Sequence, residues 1–411
     1  MRKRIRKRMK GCKKTICVLT LCLAALAAVS CRIGVEDGPD MKIGSTLLVY
    51  MAADNNLASN ARADIEEMMK GDVPYYFNEG EGDVLLVYAD ISGEAPRLIR
   101  ISKDSYGAVN QEVLMEYEEQ NSLSDTVMRS VLSYAAELFP SENNGLVLWS
   151  HGTGWLPEGY YSKPYSVSAG GQAVPVQVME DPYAAFVKSF GSSPDGEMDI
   201  KDLAEALPLR YSYIVMDACL MGGVEVAYEL KDRCRYFVGS AAEILAQGFP
   251  YDKVLGCLLD GSLDSLKMAC RHFYDSYADQ GATISVVDTY ALNSLAEACV
   301  DIFLSTRPAV SSLNMSMLQR YYRLNKHWFY DLEDFVCNLS PSEEMLDRFR
   351  SAMARTVVYR LATENFIIGA TNCFPIKTFS GLSTYVPNPE NSVLEEYYKT
   401  LAWNRAVMLV E

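Results

Sequence analysis

The sequence predicts an α/β fold in which a mostly parallel sheet is covered by helices on both faces. Along residues 46–290, short apolar runs rich in β-branched residues alternate with segments in which apolar residues recur at helical spacing. Two of the apolar runs end at a candidate catalytic side chain, one at His151 and the other at Cys219. The chain has 411 residues, enough to bury one large core, so these strands can share a single sheet.

The N-terminus has the pattern of an export signal. Residues 1–14 contain nine Lys or Arg and no acidic residue, and residues 15–30 are mostly apolar but too few for a comfortable membrane span. Ala-Val-Ser at 28–30 followed by Cys31 resembles the bacterial lipobox, in which the chain is cut before the cysteine and the cysteine receives a lipid. An ordinary signal peptide or a signal anchor is the alternative.

We therefore expect residues 1–31 to be a lipoprotein signal peptide with its lipidation site at Cys31. The mature protein would be exported and held by this lipid on a bacterial membrane, in the periplasm or at the cell surface. Removing the signal leaves 29 basic against 53 acidic residues, a net charge of −24. Because like charges repel, we expect no nucleic acid partner, and no membrane contact other than the lipid.

The rest of the chain divides into three parts. Residues 32–45 are polar, contain Gly and Pro, and show no periodicity, which predicts a tether. Residues 46–290 are expected to form the α/β domain, and residues 291–411 a mainly helical C-terminal region packed on it. The elements expected in the α/β domain are strands at 46–52, 83–90, 145–149, 213–217, 235–240 and 283–288, an edge hairpin at 97–102 and 112–117, and helices at 58–70, 124–139, 199–207 and 255–280. The elements expected in the C-terminal region are helices at 291–306, 311–336, 342–359 and 393–410, and one late strand at 382–386 that returns to the sheet.

The eleven cysteines do not suggest a disulfide framework. Four of them belong to the signal or its anchor, and the remaining seven are an odd number without a CxxC pair. We expect few or no disulfides and no zinc site. A cysteine left over from an odd number in an exported protein indicates a reactive free thiol instead.

Cys219 lies where a nucleophile is expected. It follows a buried strand, where open α/β sheets bind their ligands, and precedes a helical pattern starting at Val224, whose N-terminus would favour the thiolate. If the strand ending at His151 is its neighbour, the imidazole can take the thiol proton and later give it to a leaving amine. The N–H groups of Gly152 and Cys219 could hold the developing oxyanion, so the pattern indicates acyl transfer.

This interpretation competes with simpler ones. Most cysteines near strand ends are core residues, and the other six after the signal are expected to be so. His272 and His327 lie in helical patterns and are expected on helix faces. The hypothesis requires the Cys219 sulfur and the His151 ring to meet at one accessible rim of the sheet. On the residues alone, a sulfur buried away from solvent, or a ring aimed at the opposite rim, would end the protease hypothesis.

Ser150-His151-Gly152 and the hexapeptide 217–222, Asp-Ala-Cys-Leu-Met-Gly, resemble the motifs of the clostripain-like cysteine peptidases, family C11, which are relatives of caspases, legumains and gingipains. Residues 47–57 and 240–251 are similar to the same family, and the resemblance covers roughly residues 46–260. It implies a caspase-like fold and a cysteine endopeptidase that acts on protein or peptide substrates through a Cys219–His151 dyad and a thioester.

The resemblance also implies a specificity pocket. In the family, the acidic residue two positions before the cysteine, here Asp217, lies at the base of a pocket for Arg or Lys at P1. The alternative is a strand-end carboxylate bonded to loop N–H groups. Glu243 is the best candidate for the second acidic residue of the pocket, and Gln247 is a neutral candidate.

Regulation follows from the resemblance in the same way. The long segment at 156–209 corresponds to the place where family members are cut as zymogens, so Lys163 and Lys188 are candidate processing sites. Clostripain itself depends on calcium, and the resemblance therefore admits Ca²⁺. The sequence contains no EF-hand spacing, requires no cofactor and gives no residues to assign to a metal.

Two other functions remain open. A surface lipoprotein could keep the fold and bind peptide or glycan without chemistry, although the intact His151 and Cys219 argue against it. A transpeptidase could use the same thioester and pass the acyl group to an amine.

Overall fold

The computed structural model describes residues 41–77, 80–167, 171–177, 197–322, 324–368, 372–388 and 391–411. The expected signal peptide with Cys31, most of the expected tether and the processing candidate Lys188 lie outside these residues. None of the helices within the described ranges is both long enough and apolar enough to span a membrane.

Strands and helices alternate through most of the described chain. The strands, in chain order, are β1 (Met41–Ala53), β2 (Gly80–Ile91), β3 (Arg97–Lys103), β4 (Val109–Glu116), β5 (Asn143–Trp149), β6 (Tyr165–Val167), β7 (Ala173–Pro175), β8 (Tyr211–Asp217), β9 (Cys234–Gly239), β10 (Thr283–Asp288), β11 (Tyr330–Asp331), β12 (Val357–Ala362), β13 (Asn365–Ile368), β14 (Asn372–Pro375) and β15 (Ser383–Thr384). The helices are α1 (Ala58–Met68), α2 (Asp125–Leu138), α3 (Ile200–Ala206), α4 (Val224–Glu229), α5 (Tyr251–Asp260), α6 (Leu263–Ser276), α7 (Leu292–Ser305), α8 (Arg307–Ser312), α9 (Leu332–Asn338), α10 (Glu343–Thr356), α11 (Ser392–Tyr398) and α12 (Ala402–Val407).

Nine strands of the described residues form one sheet, in the order β12-β10-β9-β8-β5-β1-β2-β3-β4. Its centre is parallel, because β1 pairs with β5, β5 with β8, and β8 with β9 in that sense, whereas β3, β4, β10 and β12 pair antiparallel towards the edges. The central strands contain continuous apolar runs that are buried, as expected when helices cover both faces of a parallel sheet. The predicted fold class is confirmed.

The start of the domain differs from the expectation. β1 begins at Met41, so residues 41–45 belong to a strand rather than to a tether. Ser45 is buried, and its hydroxyl donates a hydrogen bond to the carbonyl oxygen of Leu259 (2.7 Å). Polar residues in this short segment therefore bond to the fold, which composition alone does not reveal.

The C-terminal region contains more strand than expected. β12 extends the main sheet next to β10, although residues 357–359 were expected to continue a helix. The expected late strand contains β15, which pairs with β11 and not with the main sheet. The long helix expected at 311–336 is also wrong. Asn314 and Asp331 lie inside that range, and their side chains accept hydrogen bonds from backbone N–H groups two and three residues later, which favours new turns and helix starts over continuation.

Candidate active site

Adjacent parallel strands bring the two motifs to the same rim of the sheet. In the β5–β8 pair, Trp149 lies opposite Asp217. His151 and Cys219 each follow two residues later, beyond the carboxyl ends of these strands. The motifs touch, because a Cβ atom added to Gly152 would overlap the carbonyl oxygen of Cys219. Only glycine lets the histidine segment approach the cysteine turn this closely.

The turn that carries Cys219 is held by backbone hydrogen bonds. Leu220, the residue after Cys219, has a φ of 63°, a left-handed conformation that side chains other than glycine rarely adopt. Its N–H donates to the carbonyl oxygen of Ala242 (2.9 Å), and the N–H of Gly222 donates to that of Ser240 (2.7 Å). Strain of this kind persists only where the surroundings enforce it, and it often marks a functional turn.

The expected helix effect on the thiol is wrong. α4 has six residues and begins at Val224, five positions beyond Cys219, with Gly223 as its N-cap. The dipole of a helix acts mainly within its first turn, and Cys219 lies before that turn. The environment of the sulfur is set by the neighbouring loop instead.

The Cys219 sulfur is enclosed. The residue has 0 % of its surface exposed, and its thiol donates to the carbonyl oxygen of Ile244 (3.3 Å) while the N–H of Ile244 donates to the sulfur (3.0 Å). The expectation that the sulfur is accessible at the rim is therefore wrong for this conformation. A substrate carbonyl group cannot reach the thiol unless the covering segments move.

Tyr161 belongs to one of the segments that lie near Cys219. It is buried, and burial followed by the nearby charges of Glu243, Tyr322 and Cys219 raises its pKa well above the ordinary range. Its hydroxyl donates to the hydroxyl of Tyr322 (2.9 Å). Lys326 donates from Nζ to the carbonyl oxygen of Tyr161 (2.9 Å), and the ammonium lies 3.7 Å from the centroid of the tyrosine ring. Contacts from Tyr322 and Lys326 in the C-terminal region thus hold the Tyr161 segment near Cys219.

The His151 side chain is also almost buried, with 4 % of its surface exposed. Its Nε2 atom lies 2.7 Å from Oδ1 of Asn56, a residue that sequence reasoning did not assign to the site. Asn56 follows β1, which pairs with β5 on the side opposite β8. A polar side chain beyond the end of a strand adjacent to β5 was the signal that could have identified it.

Asp217 makes the contacts of a structural carboxylate in this conformation. It is fully buried, and its Oδ2 atom accepts hydrogen bonds from the hydroxyl of Tyr251 (2.9 Å) and the N–H of Phe249 (3.3 Å). The loop N–H bond is the one expected in the alternative interpretation. Glu243 is buried next to the loop that encloses the sulfur, whereas Gln247 is exposed.

A second buried carboxylate, Asp64, lies on the same side of the sheet and was also missed. The indole N–H of Trp149 donates to its Oδ2 atom (2.6 Å). Burial, then the charges of Asp217 and Asp64, raise the pKa of Tyr251 well above its usual value, so both carboxylates lie near this tyrosine. Asp64 sits on α1 together with Glu66 and Glu67, so the sequence gave no sign that this one acidic residue is buried.

The remaining candidates make none of the contacts described above. His272 lies on α6 as expected, but His327 lies in a loop, and burial followed by the charge of Arg320 lowers its pKa to about 4. Lys163 is exposed, two residues after Tyr161. The seven cysteines of the described residues are free thiols. Cys219, Cys234, Cys270 and Cys299 are buried, Cys257 and Cys337 are half-buried, and Cys373 is exposed.

The C-terminal region also supports the nucleophile turn directly. The N–H of Ser383 donates to the carbonyl oxygen of Gly222 (3.0 Å). On α4, Oε1 of the fully buried Glu225 accepts three hydrogen bonds, and burial raises the pKa of this carboxyl group. The donors are the hydroxyl of Thr384 (2.8 Å), the N–H of Tyr385 (2.9 Å) and the hydroxyl of Tyr398 (2.7 Å).

Comparison with known proteins identifies the class of this site. The model of the clostripain family, Peptidase_C11, matches residues 49–169 and 188–408. A solved structure of an inactive zymogen C11 protease from Parabacteroides distasonis is 30 % identical, with a TM-score of 0.74 over 88 % of this chain and 97 % of that one. A secreted C11 cysteine protease from Bacteroides thetaiotaomicron, solved with an irreversible peptide inhibitor, is 28 % identical, with a TM-score of 0.72 over 89 % and 99 % of the two chains. A search of curated proteins found no match.

The fold and the site therefore define a hydrolase, a cysteine peptidase with a caspase-like fold. The chain belongs to the clostripain family.

Proposed function

We propose that this chain is an endopeptidase in which Cys219 is the nucleophile and His151 the acid–base residue. The observation that carries the proposal is the parallel pairing of β5 with β8. His151 and Cys219 each lie two residues beyond the paired residues Trp149 and Asp217, and Gly152 lies against the backbone of Cys219. In a member of a cysteine peptidase family, a thiol and an imidazole at one rim of the sheet are the pair that acyl transfer needs.

The reaction proceeds in two stages. The thiol proton passes from Cys219 to His151 as the sulfur attacks the carbonyl carbon of the substrate, and the carbonyl oxygen becomes an oxyanion. The N–H groups of Gly152 and Cys219 are the proposed donors to this oxyanion. Collapse of the intermediate breaks the C–N bond, and His151 gives its proton to the leaving amine. Water then attacks the thioester, which releases the carboxylic acid and restores the thiol.

The enclosed sulfur supports a precursor state. Because Cys219 is buried and the Tyr161 segment is fastened near it, the conformation described here is closed to substrate. A similar chain, from Parabacteroides distasonis, is an inactive zymogen. We infer that this protein is also made as a zymogen and opens after a cut at Lys163 or Lys188.

Labelling with an acyloxymethyl ketone peptide probe tests the nucleophile. The cut enzyme is expected to be labelled, and the Cys219→Ala variant is expected to lose all labelling, because the probe alkylates only an activated thiol in a substrate site. Cys373→Ala is the matched control, since Cys373 is the exposed cysteine of the described residues and should not react with a peptide-directed probe. Labelling that survives in Cys219→Ala, or none in any cut preparation, would favour the alternative of a lipoprotein that binds peptide or glycan.

We also propose that the substrate has Arg or Lys at P1, with Asp217 and Glu243 as the acidic residues of the pocket. Both are acidic side chains buried near the Cys219 turn, which supports this, but Asp217 also bonds to Tyr251 and Phe249. If Asp217 binds the P1 cation, Asp217→Asn should lower kcat/KM for an Arg substrate at least about 100-fold, because a buried charge-assisted bond is lost. An unchanged ratio of Arg to neutral P1 cleavage in a peptide library would assign Asp217 to the structural role alone.

The remaining proposals concern location and cofactors. We propose export and a lipid on Cys31, and the similar Bacteroides thetaiotaomicron protease is a secreted protein. No group of three or more His, Cys, Asp or Glu in the described ranges is arranged to hold a metal ion. Ca²⁺ enters the proposal only through the resemblance to clostripain. A transpeptidase would use the same thioester, and an amine acceptor added to the assay would then appear in the product.

A further inference from the structure

The contact between Asn56 and His151 defines which imidazole nitrogen can act as a base. Oδ1 of an asparagine is only an acceptor, so the His151 Nε2 atom 2.7 Å away must carry a hydrogen. A neutral imidazole with its proton on Nε2 has its acceptor lone pair on Nδ1. The bond therefore selects one tautomer, and it also holds the ring in one orientation.

The backbone on both sides of Asn56 is fixed even though the residue itself is exposed. The side chain of Asn55 donates to the carbonyl oxygen of Ala52 (3.2 Å) and accepts from the N–H of Leu57 (2.9 Å). Leu57 is buried at the start of α1, and Ala52 lies near the end of β1. This turn fixes the position from which the Asn56 amide reaches the almost buried histidine.

We propose that Asn56 is a positioning residue for His151, which keeps the hydrogen on Nε2 and leaves Nδ1 to exchange the proton with Cys219 and the leaving amine. The inference rests on the proposed role of His151. A neutral amide oxygen stabilises the imidazolium less than a carboxylate would, so it orients the ring while letting it give up its proton in the second half of the reaction. When the acceptor is lost, the ring can adopt the wrong tautomer or turn.

Nitrogen NMR of the histidine side chains tests the tautomer without requiring activity. The sequence contains three histidines, so the His151 signals can be assigned with His272 and His327 variants. In a Cys219→Ala background, which cannot cut itself, we expect His151 to carry its hydrogen on Nε2. Asn56→Leu should produce a mixture of tautomers, Asn56→Asp, which keeps an acceptor oxygen, should restore the Nε2–H form, and Asn110→Ala, on the exposed edge strand β4, should change nothing.

Kinetics on the activated enzyme provide the second measurement. Asn56→Leu is expected to lower kcat about 100-fold with KM changed less than about threefold, because the proton-transfer group is misplaced while substrate binding is intact. Asn56→Asp should recover part of the loss, because its carboxylate orients the ring but also stabilises the imidazolium. An Nε2–H tautomer and a kcat that both persist in Asn56→Leu would overturn the inference. Full activity in His151→Ala would instead contradict the proposed function, while the NMR result would still report on Asn56.

Discussion

Replacing Gly222 with alanine is expected to lower the free energy of unfolding by about 2–4 kcal/mol and to abolish peptidase activity. The added Cβ would lie 2.5 Å from the carbonyl carbon of Ser240 and 2.6 Å from the nitrogen of Ala241. Both are backbone atoms of the segment after β9, so they cannot turn aside as a side chain can. Relief requires the turn after Cys219 to move, which breaks the hydrogen bonds of Gly222 to Ser240 and Ser383.

Urea denaturation followed by circular dichroism measures the change, and Gly256→Ala is the matched control. A Cβ at Gly256, within α5, would meet the carboxylate end of Asp72 at 2.8 Å, which can rotate away. Alanine also favours a helix over glycine by about 1 kcal/mol, so the control should remain within about 1 kcal/mol of the wild type. Equal destabilisation by the two substitutions would mean that the backbone contact at Gly222 does not constrain the turn.

A cut between the two catalytic motifs is expected to raise the rate of labelling by an acyloxymethyl ketone probe at least about 100-fold. The intact chain must open before the probe reaches Cys219, and an open state populated at about 1 % slows labelling by that factor. The double variant Lys163→Ala/Lys188→Ala should remain intact and slow. Lys201→Ala, which replaces a half-buried lysine at the start of α3, should mature normally. Mass spectrometry that finds one intact chain in an active preparation would defeat the proposed activation.

The contact of Lys326 with Tyr161 gives an independent measurement of the same closed state. Lys326→Met keeps the length of the side chain but removes the charge and the hydrogen bond to the Tyr161 carbonyl oxygen. Labelling of the uncut chain should therefore become several-fold faster, because the closed state loses a contact that stabilises it. Lys267→Met, which replaces a half-buried lysine of α6 paired with Asp264, should leave the rate unchanged.

The main strands followed from the sequence, whereas the closure of the site did not. That the strands before His151 and Cys219 are neighbours was only an assumption, and the pairing of β5 with β8 meets that condition. Strands β5 and β8 contain short apolar runs and are followed by the small residues Ser150 and Ala218, so their type could be predicted. The burial of Cys219 depends on loops that come from distant parts of the chain, including Tyr161 and Lys326, and no local period encodes such contacts.

Dependence on distant parts of the chain also explains why the sequence did not reveal the contact of Asn56 or the strand β12. Asn56 gains its role only because β1 pairs with β5, a neighbour that lies about 90 residues later in the sequence. β12 begins immediately after α10, and the helical spacing of the preceding residues concealed the change at Val357. β-branched residues at 356–358 were the local sign of a strand, and pairing with β10 determined the outcome.

The donors to Glu225 and Gly222 come from the last thirty or so positions of the polypeptide. A premature stop codon near Tyr398, or trimming by a carboxypeptidase, would thus silence the peptidase with every reacting atom still present. Inactive alleles of this gene should accordingly include late truncations, and an affinity tag added at the extreme C-terminus, next to the buried Val410, is best avoided when the protein is produced for assay.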